Sequence, residues 1–344
     1  MKSKMIFILL FIFLAGTAEA QLSVKEQRQM KRSYNVGIEH LKSMDYTGAV
    51  TAFDQCLALD STFAQAYLQR GRVKAALGMM EGAFSDLEQA IQFDLELGEA
   101  YFYLGYLMFG TDTSGMAETY IRTALEKGFE AAEAYYCLGL SNLMKGNDDQ
   151  ALLHFNRAID RKDDYALAYH DRAGIKRTMG DYLGALYDYK AAVNYQPDFP
   201  LAYNNMGAVK MTLGDYEGAI DDFTQAIEQA PDLYLAYNNR GFARFQLGGL
   251  DSALVDFHTA LDYRPGFNEA QLNASSTLAR QDKLEEAVEL LNQVIAEHPQ
   301  TGVLFLNRGL IREMQGDLVG ACEDWNTALE MGQQQASEFL KECK

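Results

Sequence analysis

Basic residues and cysteines are scarce in this 344-residue chain. It contains 30 Lys and Arg against 48 Asp and Glu, which gives a formal net charge of −18, and it has only four cysteines. Sequence-independent nucleic-acid binding depends on clusters of Lys and Arg, so this charge argues against a nucleic-acid partner. The acidic excess is compatible with a basic partner, but acidic outer faces also keep a long chain soluble.

Sequence motifs for catalysis and for metal binding are also lacking. The chain has no C-x-x-C pair, P-loop, G-x-S-x-G or H-E-x-x-H. Carboxylate pairs such as Asp163–Asp164 are better explained as solvated surface charge. We therefore expect no catalytic residue, no metal site, no cofactor and no enzymatic activity. The five histidines lie apart and show no repeated ligand spacing: His40, His154, His170, His258 and His298.

The first 20 residues have the pattern of a signal peptide, of a kind that resembles bacterial ones. Lys2 and Lys4 precede the apolar run Met5–Leu14, and small residues end at Ala18-Glu19-Ala20. The run is too short to span a bilayer comfortably. We expect cleavage before Gln21, although an uncleaved anchor is the alternative. The mature chain would then have no integral membrane span and would be periplasmic, at the outer-membrane periphery, or secreted.

The rest of the chain repeats itself every 34 residues. The segment LAYNNMG at 201–207 returns as LAYNNRG at 235–241. Nine consecutive 34-residue units, here called frames, follow one another without insertion. Within each frame, position 4 is usually aromatic, position 8 usually Gly, position 20 always Ala and position 24 large and apolar. The frames are 30–63, 64–97, 98–131, 132–165, 166–199, 200–233, 234–267, 268–301 and 302–335.

This pattern resembles the tetratricopeptide repeat (TPR) family. The resemblance implies an all-α fold, a right-handed α-solenoid of nine helix-turn-helix repeats. Residues 21–29 form an N-terminal extension and residues 336–344 a C-terminal capping helix. The spacing agrees, because positions 4, 8 and 11 share one face of a first helix, and positions 20, 24 and 27 share one face of a second. Gly180-Asp181 and Gly214-Asp215 mark the turn between them.

A charged pattern recurs in five of the nine repeats. Position 23 is Asp, position 11 is basic, and position 7 is Arg in four of the five. An antiparallel helix pair brings position 23 level with position 7, so we predict ion pairs within each repeat, unless the pattern is only shared ancestry of the repeats. This predicted ionic column contains Arg70, Lys74, Asp86, Arg172, Lys176, Asp188, Lys210, Asp222, Arg240, Arg244, Asp256, Arg308, Arg312 and Asp324.

The TPR resemblance also implies a binding surface. Positions 2, 5, 9 and 12 of each first helix would line a concave groove. The Lys and Asn residues of a chaperone-type clamp for acidic C-termini are not at their positions here. Packing between neighbouring first helices explains the aromatic residues equally well. The predicted partner-binding residues are Phe102, Tyr106, Phe109, Tyr136, His170, Arg177, Asn204, Asn238, Phe242 and Phe245.

The cysteines divide into two kinds. Cys56 occupies a core position, and Cys137 lies too far along the repeats to reach it. Cys322 is on the second helix of the last repeat and Cys343 is in the capping segment, so the two should be neighbours. In an exported chain they would form a disulfide, or else remain two free thiols.

These observations predict a non-catalytic scaffold. It would bind a peptide or protein segment in its concave groove and organise a complex outside the cytoplasm. The alternative is an accessory or sensor module for envelope glycans, in which groove aromatics stack on sugars. A polar rim of Asp, Asn and Gln would favour glycan, whereas a long apolar groove would favour peptide.

Overall fold

In the computed structural model, residues 22–112 and 114–343 are described, and they are helical without any β-strand. The expected signal peptide lies outside these residues. The helices come in pairs that follow the 34-residue frame, and every first helix from the second repeat onward begins at position 1 of its frame. They are α1 (Val24–Lys42), α2 (Tyr46–Leu59), α3 (Ala64–Ala76), α4 (Met80–Phe93), α5 (Gly98–Met108), α6 (Met116–Glu126), α7 (Ala132–Met144), α8 (Asp148–Arg161), α9 (Ala166–Thr178), α10 (Tyr182–Tyr195), α11 (Pro200–Thr212), α12 (Tyr216–Gln229), α13 (Tyr234–Gln246), α14 (Leu250–Tyr263), α15 (Asn268–Arg280), α16 (Leu284–Glu297), α17 (Gly302–Met314), α18 (Leu318–Glu330) and α19 (Ala336–Phe339).

The chain divides after Glu130 into two compact units. Unit 1 contains α1–α6. Unit 2 contains α7–α19 and a closing 3₁₀ helix, Leu340–Cys343. Within each unit, a first helix packs against the second helix of its own repeat, and that second helix packs against the next first helix. This nearest-neighbour packing is the arrangement that the repeat pattern predicts.

Small residues at positions 8 and 20 allow the two helices of a repeat to approach closely. Ala219 and Ala253 are completely buried, as are the position-24 rings of Phe223 and Phe257. A Cβ atom added at Gly207 would lie 2.8 Å from the Phe223 ring. Glycine at position 8 therefore leaves the space that the large ring at position 24 fills.

Asp residues begin four of the second helices. Asp45, Asp181, Asp215 and Asp317 each accept a hydrogen bond from the backbone N–H three residues later, at 2.9–3.0 Å. These bonds satisfy one of the amide donors that a helix start leaves without a partner. The donor is glycine in all four cases, since a Cβ there would overlap the capping carboxylate.

In eight of the nine repeats the turn between the paired helices has a left-handed residue at position 15. Glycine fills it in six repeats, with φ between 73° and 83°. Repeat 1 has Met44 there instead, at φ 60°, with a side chain 75% exposed. A non-glycine residue in this conformation costs free energy, and the exposed Met44 side chain offers little compensation.

We expect Met44→Gly to raise the free energy of unfolding of the first repeats by about 1 kcal/mol. Urea melts of the variant and the wild type, followed by circular dichroism, measure the change. The matched control is Gly78→Ala, which places a Cβ at the same position of repeat 2 and should destabilise by a similar amount. A melting midpoint for Met44→Gly at or below the wild-type value would contradict this explanation of the turn.

Candidate functional site

Buried ion pairs join the two helices of several repeats, and repeat 7 shows the arrangement most fully. Asp256 is 1% exposed. The Arg240 guanidinium donates to both of its oxygens, Nε to Oδ2 at 3.0 Å and Nη2 to Oδ1 at 2.7 Å. Arg244 Nη1 donates to Oδ2 at 2.7 Å. The same geometry recurs in repeats 2, 5 and 9, through Arg70, Lys74 and Asp86, through Arg172, Lys176 and Asp188, and through Arg308, Arg312 and Asp324.

Repeat 6 has a reduced version of this ion pair, because Met206 replaces the arginine. Lys210 Nζ lies 2.7 Å from Asp222 Oδ2 and donates to the Gly218 carbonyl at 3.1 Å. Burial raises the pKa of Asp222, and Lys210 offsets that rise only in part. One cation therefore leaves this buried carboxylate only partly compensated.

The position-7 arginines also make a contact that the sequence did not predict. Arg240 Nη1 donates to Thr224 Oγ1 of the preceding repeat at 3.2 Å, and Arg308 Nη1 donates to Asn292 Oδ1 at 2.7 Å. Arg172 bonds Asn156 in the same way, and Arg70 bonds Asp54. All four partners occupy position 25 of the preceding frame. The arginine therefore links two repeats rather than only the two helices of one, and the column has a structural role.

A hydrogen-bonded ladder runs along the first helices of unit 2. Position 5 of one repeat bonds position 6 of the next, 35 residues later, in four successive steps. Two of the predicted groove residues, Tyr136 and His170, begin it, and Asn204 and Asn238 continue it. The four bonds are Tyr136 Oη to Asp171 Oδ2 (2.7 Å), Asn205 Nδ2 to His170 Nε2 (3.1 Å), Asn239 Nδ2 to Asn204 Oδ1 (3.1 Å) and Asn273 Nδ2 to Asn238 Oδ1 (2.9 Å).

Asp171 determines the hydrogen-bonding roles at the start of the ladder. Its carboxylate accepts from the Tyr136 hydroxyl, and His170 Nδ1 lies 2.8 Å from its other oxygen. A carboxylate only accepts, so we assign the proton of the neutral imidazole to Nδ1, which leaves Nε2 to accept from Asn205. Burial, then the nearby Asp171 charge, raises the pKa of Tyr136 well above its usual range.

Several predicted groove residues are therefore used inside the protein. Phe102 is only 4% exposed and packs against Tyr103 and Phe129, with ring centroids 5.2 and 5.1 Å away. Asn204 and Asn238 are buried in the ladder. Phe102 is thus packed within its own repeat, whereas Asn204 and Asn238 bond the first helix of the next repeat. Contact of these three residues with a partner stays a prediction.

The remaining predicted groove residues keep some exposure. Tyr106 is 51% exposed, and Phe109 is half-buried at the end of α5. Arg177 lies beside the Tyr189 hydroxyl and partly offsets the effect of burial on the Tyr189 pKa. Phe242 stacks on Phe245 at 6.4 Å. The structure brings Tyr136, His170, Asn204 and Asn238 into one ladder, whereas Phe242 and Phe245 form a separate pair.

A cavity of about 400 Å³ opens on the first helices of unit 1. Its walls are mostly apolar and come from three successive repeats. Tyr106 is the only predicted groove residue that lines this cavity. The small side chains of Ala75 and Ala76 leave its space open. The complete lining is Leu41, Tyr46, Arg72, Val73, Ala75, Ala76, Leu87, Tyr103, Tyr106 and Leu107.

Arg72 is the only charged residue in the cavity lining, and its neighbours hold it in place. Its guanidinium lies over the Tyr103 ring, 4.4 Å from the centroid. Nη1 donates to Glu99 Oε1 and to Gln69 Oε1, both at 3.0 Å. The Arg72 side chain is 31% exposed. Its guanidinium therefore presents further N–H donors at the cavity wall.

The described residues hold neither a metal site nor a membrane-spanning helix. Among residues 22–112 and 114–343, no group of three His, Cys, Asp or Glu side chains is arranged to hold a metal ion. No helix in this part of the chain is both long and apolar enough to cross a bilayer. The free thiols of Cys56 and Cys137 are buried, and burial raises their pKa values to about 11 and about 12, so they remain protonated and unreactive.

Family models match the chain from the second repeat to the start of the ninth. Their descriptions are "Tetratricopeptide repeat" for residues 64–97, 116–166, 200–233 and 244–304, and "TPR repeat" for residues 175–214. The chain is a tetratricopeptide repeat protein. Membership of this family supports a role as a scaffold for protein interactions. No protein with a curated description matches the chain.

Solved structures share this fold. A tetratricopeptide repeat protein from Parabacteroides merdae ATCC 43184 is 20% identical, covers 72% of this chain and 98% of its own, and has a TM-score of 0.55. The Cut9–Hcn1 hetero-tetramer of APC/C matches with 14% identity over 92% of this chain and 84% of its own, with a TM-score of 0.53. At these identities the similarity shows the TPR fold alone.

Proposed function

We propose that this TPR protein is a non-catalytic scaffold that binds a peptide or protein segment on its first helices and organises a complex outside the cytoplasm. The observation that carries the proposal is the cavity of unit 1. Its volume of about 400 Å³ falls in the range of ligand sites in proteins. It is lined by apolar and aromatic side chains with one oriented cation, as recognition sites commonly are.

The cavity suits a bulky apolar side chain of an extended segment. Such a side chain would lie over Ala75 and Ala76, between the tyrosines of neighbouring repeats. The Arg72 guanidinium stands at the wall, where a backbone carbonyl or carboxylate of the segment would accept from it. Glu99 and Tyr103 already hold Arg72 in place, so little side-chain entropy is lost on binding.

The extracytoplasmic location is supported by two features. One is the signal-peptide pattern of residues 1–20. The other is the disulfide between Cys322 and Cys343, because such bonds persist in oxidising compartments. Fusion of residues 1–24 to a reporter enzyme that is active only after export would test this part of the proposal. A full-length fusion that stays in the cytoplasm and shows no reporter activity would overturn it.

A displayed library of random peptides tests the binding proposal. We expect selection on the purified protein to enrich peptides that share one large apolar or aromatic residue. Ala76→Phe fills the cavity from an exposed position and should weaken the binding of these peptides by at least about tenfold. Ala58→Phe is the control, because Ala58 is also exposed, lies in the same unit and does not line the cavity. Equal binding by Ala76→Phe and wild type would contradict the proposal.

Glycan binding remains the second candidate, and the ladder of unit 2 is the observation that favours it. Asp171, Asn205, Asn239 and Asn273 place carboxylate and amide groups along the first helices. However, each of these groups already bonds the preceding repeat, which reduces what remains for a sugar. Binding of soluble peptidoglycan fragments tests this candidate. Fragments that bind the wild type and Ala76→Phe, but not Asn239→Leu, would favour the glycan function instead.

A further inference from the structure

Helix α1 carries an unusual charge arrangement for such an acidic protein. Lys25 and Arg28 are three residues apart, and Arg28 and Arg32 are four apart, so the three cations follow one side of the helix. Like charges at these spacings destabilise a helix. Lys25 also lies in the first turn, where the helix dipole disfavours a positive charge. The arrangement therefore lowers the stability of α1.

Nothing in the described part of the chain neutralises these three cations. No described carboxylate forms an ion pair with Lys25, Arg28 or Arg32. Glu26 is the nearest acid in sequence, but it is turned toward the helix start. Its Oε2 accepts from the Ser23 amide at 2.9 Å and from the Ser23 hydroxyl at 2.6 Å, and these bonds lower the Glu26 pKa. Glu26 thus serves as part of a capping box.

The three cations line a cleft of about 470 Å³ between α1 and α2. The rest of its lining supplies amide and hydroxyl groups from Gln29, Ser33 and Gln55, with Val36 as the one apolar side chain. None of these residues lines the cavity of unit 1. The cleft is therefore a separate surface from the one on which the proposed peptide binding rests.

We propose that this cleft binds an acidic segment of a partner protein. Charge complementarity selects an anionic ligand, because three unpaired cations converge on one concave surface. The shape and lining favour a protein segment over a lipid bilayer. A helix that binds a membrane surface presents bulky apolar residues beside its cations, whereas this cleft presents Gln, Ser and one Val.

Binding of a fluorescein-labelled octaglutamate peptide, followed by fluorescence anisotropy, tests the proposal. The rest of this protein is acidic, so binding of such a peptide reports a local basic site. We expect octaglutamate to bind, octaglutamine not to bind, and sodium chloride to weaken the complex. The double variant Arg28→Gln/Arg32→Gln should bind at least about tenfold more weakly. Circular dichroism of the variant checks that α1 remains folded.

The control variant is Lys31→Gln/Lys42→Gln. It removes the same charge from exposed positions of the same helix that do not line the cleft. We expect less than about a twofold change in octaglutamate affinity. Equal losses in the two double variants would show that only net charge matters and would overturn the proposal, as would no loss in Arg28→Gln/Arg32→Gln.

Vesicles test whether an anionic membrane, rather than an acidic protein segment, is the ligand of this cleft. In co-sedimentation with vesicles of phosphatidylcholine and phosphatidylglycerol, we expect the protein to stay in the supernatant. If it sediments with these vesicles, loses that binding in Arg28→Gln/Arg32→Gln, and fails to bind octaglutamate, the cleft is a membrane-binding site and the proposal is wrong. The variant Ala76→Phe should leave octaglutamate binding unchanged, so failure of the cavity proposal does not affect this result.

Discussion

Replacing Asp256 by alanine should lower the free energy of unfolding around repeat 7 by about 3–5 kcal/mol, because removal of one partner leaves buried charge uncompensated. Asp256 is 1% exposed and receives hydrogen bonds from both Arg240 and Arg244. Its loss would leave the Arg240 and Arg244 guanidinium groups, whose side chains are only 14% and 27% exposed, without their shared carboxylate. Hydrogen exchange of the amides in α13 and α14 measures the change locally, which suits a protein stabilised by nearest-neighbour contacts.

The internal control for this substitution is Asp222→Ala in repeat 6. There only Lys210 loses its carboxylate, and it keeps its hydrogen bond to the Gly218 carbonyl, so we expect a cost of about 1–2 kcal/mol. A double-mutant cycle with Arg240→Met and Asp256→Ala isolates the interaction of the two side chains. A coupling energy indistinguishable from zero would show that the recurring residues reflect only the common ancestry of the repeats.

Reduction of the disulfide between Cys322 and Cys343 should destabilise the C-terminal end by about 3 kcal/mol, the loop-entropy value for a closed loop of this length. The bond joins residues 21 apart and holds the closing 3₁₀ helix against α18. The only tryptophan of the chain, Trp325, is fully buried there and stacks on Phe339, with centroids 5.3 Å apart. Its fluorescence therefore reports directly on this region.

We expect dithiothreitol to lower the urea midpoint at which Trp325 emission shifts to longer wavelength. Cys322→Ser/Cys343→Ser should show the low midpoint with or without dithiothreitol. This control separates the effect of the disulfide from other effects of the reductant, because Cys56 and Cys137 remain as buried thiols. An unchanged midpoint on reduction of the wild-type protein would contradict a stabilising role for the bond.

Much of the fold could be predicted from the sequence because each repeat obeys the same local rules. The period of 34 placed the first helices, and the structure begins them at the same positions, as at Ala64 and Pro200. The pairing of Arg240 with Asp256 followed from the same reasoning, since antiparallel helices bring positions 7 and 23 together. These features depend on one repeat, or on its own two helices, and a single sequence contains that information.

Features that depend on side chains of several repeats were not predictable in the same way. The cavity of unit 1 exists because Ala75 and Ala76 are small while Tyr46 and Tyr103 on neighbouring repeats are large. No single frame shows that combination. Arg72 occupies position 9 of its frame, one of the expected groove positions, but it was not among the predicted partner-binding residues. Its orientation depends on Tyr103 and Glu99 of the next repeat, which its own frame does not show.

The ladder of unit 2 did leave a signal in the sequence. Polar residues fill position 5 of one frame and position 6 of the next, as in Asn204 with Asn239 and Asn238 with Asn273. Reading the columns across frames with an offset of 35 would have found these pairs. The family's expected groove positions instead assigned Asn204 and Asn238 to a partner, and the structure shows that neighbouring repeats bond them.

Photo-crosslinking tests most directly the central claim that a peptide segment binds in the cavity of unit 1. A selected peptide would carry benzoylphenylalanine in place of its large apolar residue, and mass spectrometry would locate the attachment. The account predicts attachment within residues 41–46, 72–76 or 103–107, and loss of that product in Ala76→Phe but not in Ala58→Phe. Attachment on the outer faces of the second helices, unaffected by Ala76→Phe, would contradict it.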